Sequence, residues 1–377
     1  MSSFCSAGIV HFIQNNRLLD CIVTPYTWRR RFQYASRVFL RKMERIRGDK
    51  ALASPIPQAR EIVNVLLFCC WPGFGDALYV NGLSKYLLST SRIKVHIVAS
   101  PKLKSIFRTT LPEDAFFDIS NEMECKRVAR CAWDVVVDLT YHVLRDMQGR
   151  VQFLGETNSP VLGTDPFIRQ RWDICSEWVD ISKCVHIGDR MSKVAERLVG
   201  HQVKRIIPYA GFPRLKGRGQ YVYVNCVGTR QSRSLSQSQI DWIADFFTQK
   251  HITAYFYLNK YQALKESEYV SVVKPESFSR ACQWIGGATG VLSPDTSIVH
   301  VASAYGIPQL CFFAGNVFDG FGYPMEEVWG PLSVSEVLKP SRTPFFSKGV
   351  VPVSEITQEE ITEALLRFIS RGKFIEN

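Results

Sequence analysis

The chain has 377 residues, 46% of them hydrophobic, and a formal net charge of +11. That length accommodates two domains of ordinary size, and the apolar fraction excludes a disordered chain. No apolar run reaches the roughly 18 residues of a membrane-spanning helix. The first residues lack the basic-then-apolar pattern of a secretory signal, so the expected location is the cytoplasm. The eleven cysteines form no Cys-x-x-Cys pair. Cys69-Cys70, Cys226 and Cys311 fall inside apolar runs, which points to buried reduced thiols rather than disulfides or zinc. The positive charge points to an anionic partner: nucleic acid, a membrane surface or an acidic glycolipid.

Residues 1–58 read as an N-terminal extension. Nine Lys/Arg and two Asp/Glu lie between Pro25 and Lys50, so this segment carries +7 of the +11. Thr24-Pro25 suits a helix cap and first helical residue. Trp28, Phe32, Ala35, Phe39, Met43 and Ile46 then form one apolar stripe, and Arg29, Arg30, Arg31, Arg37, Arg41, Lys42, Arg45 and Arg47 surround it. Such a helix either lies on an anionic membrane or docks on its own protein with a solvated basic face. Ser54-Pro55-Ile56-Pro57 suits a linker.

From Glu61 onward strands and helices alternate. Ile62–Cys70 reads as a buried strand, Trp71-Pro72-Gly73-Phe74-Gly75-Asp76 as a glycine-bearing turn, and Ala77–Ser89 as a helix. Strand Ile93–Ala99, helix Pro101–Thr109, strand Trp133–Leu139, a further strand at Val151–Gly155 and helix Ser192–Val199 complete this half. Lys204–Gln220 is rich in Pro, Gly and basic residues, as an interdomain connection is. The pattern restarts with strand Tyr221–Cys226, helix Ser236–Gln249, strand Ile252–Leu258 and helix Pro275–Ile285. Gly290–Leu292 is a strand, broken by Ser293-Pro294-Asp295, and Thr296 opens a helix that Gly306 closes before strand Gln309–Phe313. Gln358–Ser370 is a closing helix. Two successive βα halves predict two doubly wound sheets: residues 59–205 and 206–377.

Three strand-to-helix turns carry chemistry. Asp295, Thr296 and Ser297 stand at a helix start, where free N–H groups and the dipole favour a bound phosphate. His300 lies four residues beyond Thr296, on the same face. Taken alone, Asp295 or Thr296 suits a helix cap equally well. Gly73-Phe74-Gly75-Asp76 follows the first strand, where ligands bind in such sheets. It ends in neither the Gly-Lys-Ser/Thr of a P-loop nor a Gly-x-Gly-x-x-Gly, and Asp76 also suits an N-cap. Val227-Gly228-Thr229-Arg230-Gln231-Ser232-Arg233 is a polar, basic loop after the first strand of the second half.

The string Asp295-Thr296-Ser297 with His300 resembles the donor motif of glycosyltransferase family 9, the ADP-heptose lipopolysaccharide heptosyltransferases. Ser297 stands where that family usually has Gly. Gly75-Asp76-Ala77-Leu78 resembles the family's Gly-Asp pair, and Thr229, Arg230 and Arg233 fall in its phosphate-contacting loop. There Gly228 replaces a Ser or Thr of some members, and Arg233 replaces a Lys. The resemblance spans Ile62 to Phe313. It falters at Leu258-Asn259-Lys260-Tyr261, near which the family carries a Glu beside the ribose.

The resemblance implies an α/β, GT-B architecture, two Rossmann-like domains facing across a cleft. It implies an inverting, metal-independent transfer of heptose from ADP-heptose to an inner-core lipopolysaccharide sugar, with no cofactor. Asp76 would be the general base, on an acceptor loop with Gly73 and Gly75. Thr229, Arg230, Arg233, Asp295, Thr296, Ser297 and His300 would hold the donor. An enzyme of this kind works at the inner face of the inner membrane, with residues 25–50 meeting the anionic surface. A protein O-heptosyltransferase of the same fold is a rival, but its relatives carry a C-terminal cysteine cluster and no cysteine follows Cys311 here. A non-catalytic lipopolysaccharide-binding homologue would not need Asp76. A nucleic-acid-binding protein is disfavoured, since the basic stretch is amphipathic and no recognition motif appears.

Overall fold

The structure, a computed structural model, describes residues 55–69, 73–90, 92–139, 153–154, 156–164, 175–217, 219–319, 322–341 and 349–372. The basic stripe from Trp28 to Ile46 lies outside them. In chain order the first half contains β1 (Asn64–Cys69), α1 (Phe74–Ser89), β2 (Lys94–Ala99), α2 (Lys104–Phe107), β3 (Phe116–Asp118), α3 (Glu122–Ala129), β4 (Val135–Asp138), β5 (Val161–Gly163), β6 (Glu177–Trp178) and α4 (Ile187–Val199). The second contains β7 (Val222–Asn225), α5 (Gln237–Gln249), β8 (Ala254–Tyr257), β9 (Val270–Val272), α6 (Phe278–Gly287), β10 (Gly290–Pro294), α7 (Ser297–Tyr305), β11 (Gln309–Phe312), α8 (Met325–Val328), β12 (Ser335–Leu338) and α9 (Gln358–Gly372).

The strands form two six-stranded sheets, in the orders β3-β2-β1-β4-β5-β6 and β12-β11-β10-β7-β8-β9. Every neighbouring pair is parallel. Read from opposite edges, the two orders are the same doubly wound pattern, with its reversal at β1/β4 and at β7/β10. A parallel sheet covered on both faces needs continuous apolar strands. In β1, Val65, Leu67 and Cys69 enter one core while Leu66 and Phe68 enter another. The first of these cores continues across both sheets. It joins Leu78 and Tyr79 of α1 to Val291 of β10, Val301 of α7 and Trp329. Both sheets belong to one compact unit.

The Pro/Gly-rich connection is irregular, as its composition predicts, and it is tied down. The Tyr209 N–H donates to the Leu78 carbonyl at 2.9 Å. Asn81 Nδ2 donates to the Tyr209 carbonyl at 3.0 Å and to Thr109 Oγ1 at 2.9 Å. Gly211 has φ +70°, and a Cβ there would stand 2.4 Å from the Thr109 Cβ, so the crossing requires glycine.

Several elements depart from the sequence reading. Helix α1 begins at Phe74, not Ala77. Phe153 and Leu154 are helical rather than part of a strand at Val151–Gly155; the strand is Val161–Gly163. The sequence reading contained no β3, α3, β6, β9, α8 or β12, and of these strands β3, β6 and β9 have three residues or fewer. Strands that short are held by their neighbours rather than by their own composition. Among the described residues no helix is long and apolar enough to cross a membrane.

Candidate active site

The residues singled out from the sequence stand at the carboxyl ends of β1, β7 and β10, beside the two strand-order reversals. Ligands bind at such reversals because the crossover helices leave on opposite faces and open a crevice. Gly73 is the N-cap of α1, with extended backbone and no side-chain bond. Asp76 therefore lies inside the first turn and is not the cap. Its Oδ2 occupies the space beside Gly73, 2.4 Å from where a Cβ would be. Oδ1 is buried and has no hydrogen-bond partner among the described residues. Burial pushes the Asp76 carboxyl up to about 7, against a smaller opposing effect of its own backbone amide. A carboxyl near 7 can exchange its proton at neutral pH, as a general base must.

Gly75 is one of the points where the two lobes touch. A Cβ on it would stand 2.9 Å from Cδ2 of His300 and 3.8 Å from the Ser297 Cα. The absence of a side chain lets α1 lie against the first turn of α7. Phe74 stacks on Phe278 of the other lobe, with ring centroids 4.1 Å apart and planes 8° from parallel. His300 is 4% exposed, and burial followed by the influence of His186 lowers its pKa to about 3, so its imidazole is neutral.

Thr296 is the N-cap of α7, its hydroxyl accepting from the Ile298 N–H at 3.2 Å. The same hydroxyl is held from behind. Asn225, which ends β7, donates from Nδ2 to Ser293 Oγ at 3.0 Å and lies 3.3 Å from Thr296 Oγ1. Ser293 and Thr296 hydroxyls are 3.1 Å apart. Asn225 also accepts from the Val227 N–H at 3.2 Å, which fixes the start of the basic loop. Asn225 and Ser293 were not among the candidates. Their one signal is polarity at the end of an otherwise apolar strand.

The basic loop reaches the start of α7 through an ion pair, Arg233 to Asp295 at 2.8 Å. Burial raises the Asp295 pKa and Arg233 opposes it. Asp295 thus anchors Arg233 instead of capping the helix. Thr229 and Arg230 are exposed at the loop tip. Gly228 has a structural cause: a Cβ there would stand 2.6 Å from the Arg233 carbonyl oxygen. Gly228→Ala is therefore expected to displace Arg233 and loosen its ion pair with Asp295, which a lowered melting temperature would show. The loop after β8 is pinned as well, since Gln262 Nε2 donates to the Leu235 carbonyl at 3.0 Å.

A cavity of 630 Å³ also opens between the lobes, lined by His186, Asp189, Arg205, Glu326 and Gly330 among others; none of the sequence candidates lines it. Among the described residues no group of three or more His, Cys, Asp or Glu is placed to hold a metal ion.

No protein-family model and no curated protein matches the sequence. Solved structures do. A glycosyl transferase family 9 protein from Veillonella parvula superposes with a TM-score of 0.64 at 12% identity, over 85% of this chain and 99% of that one. The E. coli heptosyltransferase WaaC, solved with ADP, gives 0.59 at 14% identity over 83% and 100%. E. coli ADP-heptose lps heptosyltransferase II gives 0.52 at 12% identity over 83% and 100%. With its two parallel six-stranded sheets in matching order, the chain has the GT-B fold of these family 9 glycosyltransferases.

Proposed function

We propose that the chain is an inverting family 9 glycosyltransferase that moves a heptosyl group from ADP-heptose to an inner-core sugar of lipopolysaccharide. The observation that carries this reading is the contact of Gly75 with His300. It sets a buried carboxyl with pKa about 7 beside a helix N-terminus that has Arg233 within reach of its first turn. A sugar hydroxyl is a poor nucleophile. Asp76 takes its proton as the new C–O bond forms at the anomeric carbon. The bond to the diphosphate breaks at the same time, and the leaving oxygen keeps the electron pair. The N–H groups opening α7 and the Arg233 guanidinium stabilise the charge that develops there. Arg suits this place because its fork can hold Asp295 and phosphate oxygens together. These residues act without a metal or cofactor in this reading. The basic stripe within residues 25–50 is the segment that we assign to the anionic membrane surface.

Arg233→Ala, Thr296→Ala and His300→Ala are each expected to weaken ADP binding by roughly 1.5–3 kcal/mol, the size of a charge-assisted hydrogen bond. Calorimetry showing wild-type affinity in all three would remove the diphosphate assignment. Incubation with a panel of sugar nucleotides and defined core oligosaccharides, with products identified by mass spectrometry, tests the activity. A heptosylated core sugar is the expected product. Transfer to a protein side chain instead, or no transfer from any donor, would overturn the reading.

A further inference from the structure

Two buried side-chain atoms between α1 and α7 have no hydrogen-bond partner among the described residues: the Tyr79 hydroxyl and His300 Nδ1. Tyr79 is 0% exposed and comes from one lobe; His300 comes from the other. Their rings meet edge to face, with centroids 5.2 Å apart and planes inclined at 68°. Buried polar groups are nearly always paired, so two orphans on touching rings call for an explanation.

The surrounding groups narrow it. His186 lies against Tyr79, with ring centroids 5.9 Å apart. Both of its nitrogens are engaged: Nδ1 accepts from the Gly188 N–H at 3.0 Å and Nε2 lies 3.3 Å from the Gly330 carbonyl. Trp329 completes the box, its ring 5.6 Å from His300. The other edge of His300, Cδ2 and Nε2, faces Gly75 and the crevice. The imidazole is neutral and carries a single N–H. Which nitrogen holds that proton is set by the bond the other one makes. Burial raises the Tyr79 pKa above its ordinary value, so the phenol keeps its proton and can donate.

We propose that Tyr79 is a positioning residue for His300: its hydroxyl donates toward Nδ1 through one buried water, which keeps the imidazole proton on Nε2, the edge turned to Gly75. A water fits the role because it accepts from the phenol and donates to the imidazole, satisfying both orphans. The pair rests on the two orphaned atoms and on the edge-to-face contact of their rings. Its purpose, an Nε2–H aimed at a donor phosphate oxygen, rests on the function proposed above.

The test is nitrogen NMR on the full chain labelled with ¹⁵N-histidine, where protonated and unprotonated ring nitrogens have well-separated shifts. The His300 signals are assigned by their loss in His300→Gln. The expected wild-type result is a proton on Nε2. Tyr79→Phe keeps the ring and removes only the hydroxyl; it should give a tautomer mixture and weaken ADP binding roughly 10-fold. An unchanged tautomer in Tyr79→Phe overturns the proposal. So does a tautomer that shifts in Trp329→Phe and not in Tyr79→Phe, because the indole N–H is then the partner. A shifted tautomer with unchanged ADP affinity upholds the Tyr79–His300 pair and removes the donor-site reading instead. Should Tyr79→Phe fail to fold, the wild-type spectrum decides: a His300 proton on Nδ1 overturns the proposal.

Discussion

Replacing Asp76 with Asn is expected to lower kcat by about 100- to 10,000-fold while ADP still binds. The substitution keeps shape and removes the only function assigned to the side chain, accepting a proton. The wild-type rate should rise with pH through about 7, the value to which burial pushes this carboxyl, because the base works only when ionised. Stability should move the other way. The folded pKa lies above the ordinary 3.8, so the native state holds the proton more tightly than the unfolded chain does. That contribution is fully present below about pH 4 and is lost as pH rises to and through about 7. Asp76→Asn should therefore be more stable than wild type at pH 8, on the order of 4 kcal/mol. The difference should shrink as pH falls toward 4. Urea melts at the two pH values read this directly. A rate independent of pH from 6 to 8, together with normal turnover by Asp76→Asn, would remove Asp76 as the base.

The second large effect concerns a buried ion pair between the lobes. Arg190 of α4 pairs with Asp319, which lies between β11 and α8, and the two side chains are 5% and 2% exposed. Arg190 also donates from Nε to the Cys184 carbonyl at 2.9 Å, and Asp319 accepts from the Tyr323 N–H at 3.0 Å. Nearby, the Tyr323 hydroxyl donates to the Ser182 carbonyl at 3.0 Å. These bonds tie the two lobes together. Removing one member of a buried ion pair costs about 3–5 kcal/mol. Arg190→Met should therefore lower the melting temperature by on the order of 10 °C. The double variant Arg190→Met/Asp319→Leu should recover most of that loss, since apolar side chains then replace the whole buried pair. Equal melting temperatures for wild type and Arg190→Met would show that the pair contributes nothing.

Much of the crevice was legible in the sequence because its signals are local. Continuous apolar runs such as Val65–Cys69 and Gly290–Leu292 read as parallel strands. Glycine and polar residues at their ends read as turns, and the helix that Gly306 closes does end there, with φ +69°. Asp295-Thr296-Ser297, His300 and Gly75-Asp76 were all placed at strand ends by such signals. The same reasoning put the start of α1 three residues late. Phe74 and Gly75 looked like turn residues, and only their packing on Phe278 and His300 makes them helical.

The sequence by itself determined two βα halves, an irregular connection between them and the strand-to-helix turns that hold the candidate residues. Tertiary structure decided which of those turns meet. The Arg233–Asp295 ion pair, the Asn225–Ser293–Thr296 cluster, the Gly75–His300 contact and the Arg190–Asp319 pair each join segments more than sixty residues apart. Short strands such as β3 and β6 were invisible for the same reason, being held by sheet neighbours rather than by their own residues. Periodicity and turn chemistry act over a few residues. The register of two parallel sheets and the packing of α1 on α7 act across the whole chain, and they set these distances.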